Sequence, residues 1–170
     1  SLAADNSYID VTFNEAVYED NCQGGGLQSS DFDLKITGGS ATTPVISSVK
    51  QNDSATEGSA SALTGGETTV RIFFSLTGTP DGSETLEVDL QANEVFDQNG
   101  LVGDADQTSN NTATMNDEAA PTVSITTGAS DPTNSSPFSV TITFSESVSN
   151  FVVGDITVVN GTASNFAGSG

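Results

Sequence analysis

The sequence contains no histidine and no tryptophan, and it has three lysine and arginine residues against 23 aspartate and glutamate residues. Without histidine, the usual general base and the commonest zinc ligand are both absent. The formal charge of −20 would repel nucleic acid phosphates and anionic membranes, so we expect neither as a partner. No segment resembles the strand-turn-helix motif of a catalytic serine, and we predict a protein without enzymatic activity.

Cysteine and long apolar runs are also scarce. The single cysteine, Cys22, cannot form a disulfide within the chain. It could pair with another chain or stay free, and we favour a free thiol packed under its own loop. No apolar run of roughly 18 residues is present, so the sequence predicts no membrane-spanning helix and no direct membrane insertion.

What the sequence does contain is a regular alternation of apolar and polar residues. A period of two is typical of β-strands that bury one face. Between the alternating segments lie glycine, serine, asparagine, aspartate and proline, which favour turns, and no long stretch has the helical period. The chain is therefore predicted to be all-β. Its strands are predicted at 8–13, 32–36, 70–75 and 86–90, with weaker candidates at 44–50 and 110–115.

The strand pattern starts again near Ala120. The phrase "VTITFSESV" at 140–148 repeats "DVTFNEAV" at 10–17, with Phe144 in the place of Phe13. The offset is 131 residues there and 124 residues beyond the next loop, where "LQSSDFDLKI" aligns with "FVVGDITVVN". The second copy is thus predicted to have strands at 121–127, 138–144 and 156–159. A repeated strand plan of this length predicts two antiparallel β-sandwiches in tandem.

Several phrases resemble the immunoglobulin-like repeats of large secreted bacterial adhesins and surface fibres. They are "LAADNSYIDVTFNEAVY", "LQSSDFDLKITGG", "SALTGGETTVRIFFSLTGTPDGSETLEV" and "DQNGLVGDADQTSNNT". The segment from "APTVSITT" onward resembles a second repeat type of such proteins. The resemblance implies immunoglobulin-like sandwiches at 1–119 and 120–170. It also implies that the first sandwich lacks most of its opening strand here and that the second is represented by its N-terminal part.

Clustered acids predict a calcium site. The loop "FDQNGLVGDADQ" brings Asp97, Asn99, Asp104 and Asp106 close together in sequence, and hard oxygen ligands on a flexible loop suit Ca²⁺. The spacing is not that of an EF-hand. Solvated turn acids in a very acidic protein are the alternative interpretation.

The segment "MNDEAAPT" is similar to the calcium-binding junction of cadherins, which implies linker ligands at Asn116, Asp117 and Glu118. Acids at the joined ends of the two sandwiches would complete the site. From the first domain these are Glu15 and the loop acids above, and from the second Asp131 and Glu146. We therefore expect Ca²⁺ as the bound ion.

These observations favour a spacer repeat of a secreted or cell-surface bacterial protein, with neighbouring repeats or other fibre subunits as partners. The alternative is a glycan-binding module attached to a secreted polysaccharide-active enzyme. Sugar-binding faces generally use exposed aromatic rings, and only Tyr8 and Tyr18 are available besides phenylalanine. Tyr8 is as well placed to cap the core. Tyr18, at the head of an extended loop, is the better candidate, although a loop residue without ligand is favoured.

Overall fold

The computed structural model describes residues 1–168, and this part of the chain is all-β apart from three short 3-10 helices. Nine strands occur among these residues. They are β1 Tyr8–Tyr18, β2 Phe32–Thr37, β3 Thr42–Gln51, β4 Glu67–Thr77, β5 Thr85–Leu90, β6 Phe96–Asp97, β7 Thr112–Thr114, β8 Val123–Thr127 and β9 Val140–Phe144. The predicted strands are confirmed except the one at 156–159. The structure also contains β6, which was not predicted because two residues are too few to show a period.

The chain divides into two compact units, Ser1–Ala119 and a second that starts at Ala120. The first unit has two antiparallel sheets, one in the order β3-β4-β1-β6 and the other in the order β2-β5-β7. Apolar side chains from both sheets meet in one core, with Ile72 and Leu86 fully buried at its centre. Alternation therefore positions one face of each sheet inward, as a sandwich requires.

Strand β4 departs from simple alternation because it is buried on both faces. Val70, Ile72 and Phe74 point into the core as predicted, but Arg71 and Phe73 on the opposite face are buried too. The cover comes from Tyr8 of the neighbouring strand and from the loop after β3, whose Ser54 carbonyl accepts a hydrogen bond from Arg71 Nη1 at 2.7 Å. The expectation that β4 buries only one face is wrong there, because a distant loop folds over it.

Strand β1 changes its pairing midway. Tyr8–Thr12 pair with β4, and the register then shifts before Val17 pairs with Glu67. Phe13 lies at this irregularity, half-buried against the core, so it takes part in the core as predicted without being fully enclosed. Such bulges bend a strand and interrupt its ladder.

In the second unit β8 and β9 form an antiparallel pair in which Ile125 lies opposite Ile142 and Val123 opposite Phe144. Phe144 also contacts Phe151 edge-on, with 5.0 Å between ring centroids. Val123 and Ile125 remain 56% and 67% exposed. A two-stranded sheet has little with which to cover its apolar face.

The two units share more than the repeated phrase. A 3-10 helix occupies Ser29–Asp31 in the first unit and Val153–Asp155 in the second, 124 residues apart, as the alignment of the repeats requires. In both, the third residue is an aspartate whose side chain accepts the N–H three residues earlier.

The strand predicted after the second of these helices does not form. Residues 156–159 are without strand structure, so the prediction is wrong there. In the first unit the corresponding strand is β2, which pairs with β5. Among residues 120–168 no strand stands in the place of β5, and the segment therefore has no ladder to join.

Candidate functional site

The predicted loop acids are held in the turn that follows β6. The Asp97 carboxylate accepts hydrogen bonds from the backbone N–H groups of Leu101 and Asn99, each at 2.7 Å. The Leu101 N–H is the largest cause that keeps the pKa of Asp97 below its ordinary value. Asp104 likewise accepts the N–H of Asp106 at 3.0 Å. These carboxylates therefore close turns of their own loop.

The linker acids lie at the end of the first unit, where they are tied to its N-terminal segment. Asn116 and Asn6 exchange hydrogen bonds, with the Asn6 side chain accepting the Asn116 N–H at 3.0 Å and donating to the Asn116 carbonyl at 2.9 Å. Asn6 Nδ2 also donates to Glu118 Oε1 at 3.1 Å. The amide of Asn116 donates in turn to the Ala3 carbonyl at 2.9 Å. The side chain that orders this segment, Asn6, is one that sequence reasoning missed.

Asp117 pairs with Asp81 through an isolated antiparallel bridge, and its carboxylate accepts the N–H of Ala119 at 3.0 Å. Gly82 is packed so closely against it that a Cβ there would lie 3.1 Å from the Cβ of Asp117. The segment is thus ordered, while the side chains of Asp117 and Glu118 stay exposed.

The remaining predicted ligands lie on other segments of the chain. Glu15 is exposed on β1, Asp131 is exposed in the loop between β8 and β9, and Glu146 follows the end of β9. Within residues 1–168 no group of three or more acidic or cysteine side chains is placed to hold a metal ion. Calcium binding by these residues stays a prediction.

Glu84 is a buried acid that the sequence did not single out. It is 0% exposed, and its carboxylate accepts the backbone N–H groups of Ser40, Ala41 and Asp81 at 2.8 to 3.2 Å. Burial alone would raise the pKa of Glu84, but these N–H groups outweigh it and hold the pKa below its ordinary value. Gly39, with φ +54°, lies against this carboxylate, and a side chain at that position would collide with it. In the sequence, the glycine pair Gly38–Gly39 before β3 is the feature that could have indicated a close contact at this turn.

Asp10, also missed from the sequence, binds the single arginine of the chain. Arg71 Nε and Nη2 donate to the two Asp10 oxygens at 2.7 and 2.8 Å, and the guanidinium lies 3.7 Å from the ring centre of Tyr8. The side chains of Arg71 and Asp10 are 9% and 15% exposed, so the pair is largely enclosed and has a structural role. The hydrogen bonds to Asp10 are the main reason why the pKa of Arg71 is raised above its ordinary value.

Both tyrosines are engaged in packing. Tyr8 contacts Phe73 edge-on, with 5.6 Å between ring centroids, and the Arg71 guanidinium lies over its ring. This agrees with the interpretation that Tyr8 caps the core. The ring of Tyr18 lies over Gly65 and Gly66, whose absent side chains leave room for it. Each ring is therefore in contact with the protein, and glycan binding at Tyr18 stays the alternative interpretation.

The position of Cys22 differs from the one expected from the sequence. The residue is exposed, so the predicted packing under its loop is wrong. Its Sγ donates to the Asn21 side chain, and its backbone N–H is bound by Asp20. The loop is therefore organised by its own polar groups, with the thiol on the outside.

A groove of about 660 Å³ lies between the two sheets of the first unit. Its apolar wall comes from core side chains of both sheets, among them Val11, Phe13, Val88, Leu90 and Val95. Glu15, Asp97 and Asp104 also line the groove, as does Asp10, whose carboxylate binds Arg71. The groove is therefore an opening toward the core that acidic residues also line.

Comparison with known proteins adds one finding on the family. Residues 117–170 match a family model described as a bacterial Ig-like domain. No curated protein and no solved structure matches the chain. Together with the antiparallel sandwich of the first unit, the match identifies the fold class as an immunoglobulin-like β-sandwich. In the described part of the chain no helix has the length and apolar character needed to cross a bilayer.

Proposed function

We propose that this chain is a pair of structural spacer repeats from an extracellular bacterial adhesin or surface filament. The observation that supports it is the recurrence of one strand plan in both units. The aligned 3-10 helices Ser29–Asp31 and Val153–Asp155, and the aligned strands β1 and β9, extend the sequence repeat into structure. Tandem copies of one sandwich add length without adding a new site.

The distribution of charge supports the same proposal. Of the 23 acids, several with lowered pKa values, such as Glu84 and Asp97, serve the fold by binding backbone N–H groups. The chain as a whole carries a net charge of −20, which keeps neighbouring acidic stalks apart. A secreted or cell-surface location accords with this role and with the bacterial Ig-like match.

Binding to polysaccharides tests the proposal against the glycan-binding alternative. The full chain is passed over immobilised bacterial and plant polysaccharides and a glycan array, with a known carbohydrate-binding module as positive control. A spacer should be retained by none of them. Retention that Tyr18→Ala abolishes, while the exposed-site variant Thr12→Ala keeps it, would contradict the spacer function and establish the alternative.

The second part of the proposal is that calcium stiffens the chain around Asn116, Asp117 and Glu118. The exposed carboxylates of Asp117 and Glu118 lie on a segment already ordered by Asn6 and Asp81, so little conformational entropy would be lost on binding. Glu15, Asp97, Asp104, Asp106, Asp131 and Glu146 are the proposed further ligands.

A further inference from the structure

Strand β3 lies at the edge of the four-stranded sheet, with β4 on one side and no strand partner on the other among residues 1–168. A free edge presents unpaired backbone N–H and C=O groups, to which a strand of another molecule can bind. The sequence of β3, "TTPVISSVKQ", is rich in β-branched residues, and Val45 within it is 55% exposed. Copies of the first unit would therefore pair through β3 unless its structure prevents them.

The first irregularity of this edge is a bulge near the start of β3. Thr43 and Pro44 lie together opposite a single residue of β4, Leu76. Thr43 has φ +52°, a conformation that β-branched residues rarely adopt, and Pro44 has no N–H to donate. The backbone is therefore bent at this point and lacks a donor at Pro44.

The second irregularity follows three residues further along β3. Ile46 and Ser48 pair with consecutive residues of β4, Phe74 and Phe73, so Ser47 is an extra residue. N–H and C=O groups face the two edges of a strand alternately, and an extra residue breaks this alternation. The groups on the free edge of β3 therefore do not form one regular row.

Both ends of this edge are held by other parts of the first unit. Just before β3, the Ala41 N–H donates to the Glu84 carboxylate at 2.9 Å. At the far end, the backbone N–H of Gln51 donates to the Ser61 carbonyl at 2.9 Å. The part of the edge left for another strand is therefore 43–50, which contains both bulges.

We propose that the bulged edge of β3 prevents strand addition and so keeps copies of this chain from joining through the first unit. Lys50 contributes, because a strand that covered it would have to desolvate its charge. Repulsion between chains of charge −20 acts in the same direction, but salt screens it. The bulges act through the path of the backbone, which screening does not change.

The inference goes beyond the spacer function, because tandem sandwiches add length whether or not their edges are blocked. Its failure would leave the spacer proposal standing, since polysaccharide retention does not depend on association.

A regular edge is the variant that tests the proposal. Deleting Pro44 and Ser47 leaves one residue of β3 opposite each residue of β4 from Thr42 to Gln51, and the present pairs stay together. With Lys50→Thr added, the edge reads Thr-Thr-Val-Ile-Ser-Val-Thr-Gln, an uncharged segment of high β-propensity. We expect this regular-edge variant to associate roughly tenfold more tightly than the parent in sedimentation, most clearly in high salt.

Val45→Lys in the regular-edge variant is the matched control, because it returns a charge to the middle of the strand at an exposed position. Association should fall back to the parent level, which would locate the contact at β3. Circular dichroism and urea unfolding verify that each variant is folded. A folded regular-edge variant that associates no more than the parent in high salt would overturn the proposal. Association of the parent that Val45→Lys abolishes would overturn it too, because the edge would then be open already.

The double substitution Pro44→Thr, Lys50→Thr covers the case in which the deletions prevent folding. It keeps both extra residues and the present backbone path, while it restores an N–H and removes a charge. Association in high salt should rise roughly threefold, a smaller gain than for the regular edge because the bulges remain. If the deletion variant does not fold and this substituted chain associates no more than the parent, the edge is not what keeps the copies apart.

Discussion

Glu84 illustrates how carboxylates are used in the first unit. Its oxygens lie where backbone N–H groups of Ser40, Ala41 and Asp81 converge, so a charged side chain is buried without a cation. Buried N–H groups without an acceptor are costly, and an anion satisfies several of them at once. Arg71 solves the opposite problem by binding Asp10 through two nitrogens. Both groups connect segments far apart in sequence.

Replacing Glu84 by glutamine should lower the free energy of unfolding by about 1 to 3 kcal/mol at neutral pH, because an NH₂ group would then face N–H donors. The pKa of Glu84 is lowered in the folded state, so its contribution to stability is present above the ordinary pKa of 4.5 that it has when unfolded. It is lost as the pH falls through the folded pKa. Urea unfolding of both proteins at several pH values measures this.

The parent and Glu84→Gln share all the other acids, so the difference between their stability curves reports on Glu84 alone. We expect the two curves to converge as the pH falls below about 4. A constant difference down to a pH of about 2 would contradict a charged, N–H-bound carboxylate at this position.

Replacing Arg71 by methionine should cost about 3 to 5 kcal/mol, because Asp10 would remain largely buried without its partner. The double variant Asp10→Val, Arg71→Met should be more stable than the single variant, since neither charge is then left alone. Thermal unfolding of the two variants gives the comparison. If the double variant is less stable than Arg71→Met, the loss of stability does not come from burying Asp10 without its partner.

Among the strands, β1 and β9 show how equal sequence leads to unequal environment. Both carry the same alternation, yet β1 lies within a four-stranded sheet and β9 in a pair. Ile9 is therefore buried while Val140, its counterpart, is 50% exposed. The pattern decides which side chains share a face, and the number of neighbouring strands decides how deeply that face is buried.

Phe13→Ala tests the position of Phe13 in the core. Full burial of a phenylalanine would give a loss of about 3 to 5 kcal/mol, and half-burial at a bulge predicts roughly 2 kcal/mol. The exposed neighbour Asn14→Ala should change the free energy of unfolding by less than about 0.5 kcal/mol. Equal effects of the two substitutions in urea unfolding would place the Phe13 side chain outside the core.

The molecule as a whole has a high negative charge and two repeats. We expect calcium to raise its thermal stability. The melting temperature should rise in millimolar calcium and fall with chelator, because an ion that binds only the folded state stabilises it. Extracellular calcium modules bind at about 10⁻⁴ to 10⁻³ M, and a hundredfold excess over Kd contributes about 2.7 kcal/mol.

Sodium chloride at matched ionic strength is the control, since it screens the −20 charge without coordinating carboxylates. Asp117→Asn should reduce the calcium-dependent gain, while Asp33→Asn, on the exposed face of β2, should keep it. Equal melting in calcium, chelator and sodium chloride would remove calcium from the proposal.

The strands and the repeat follow from the sequence because both are local properties. A period of two decides which residues of 32–36 or 86–90 share a face of the strand, whatever packs against that face. The repeat is found by comparing 140–148 with 10–17 in the sequence alone. The all-β class and the repeat could therefore be predicted, and Asp97, Asp104 and Asp117 could be named as candidate ligands. Whether those acids bind calcium depends on ligands from several segments, which no local pattern specifies.

Other features depend on tertiary structure because their partners are distant in the chain. In the sequence, nothing distinguishes Glu84 and Asp10 from the solvated acids around them. They become buried because the fold brings Ser40–Ala41 to Glu84 and Arg71 to Asp10. The strand expected at 156–159 does not form for the same reason, since a strand requires a hydrogen-bonded neighbour.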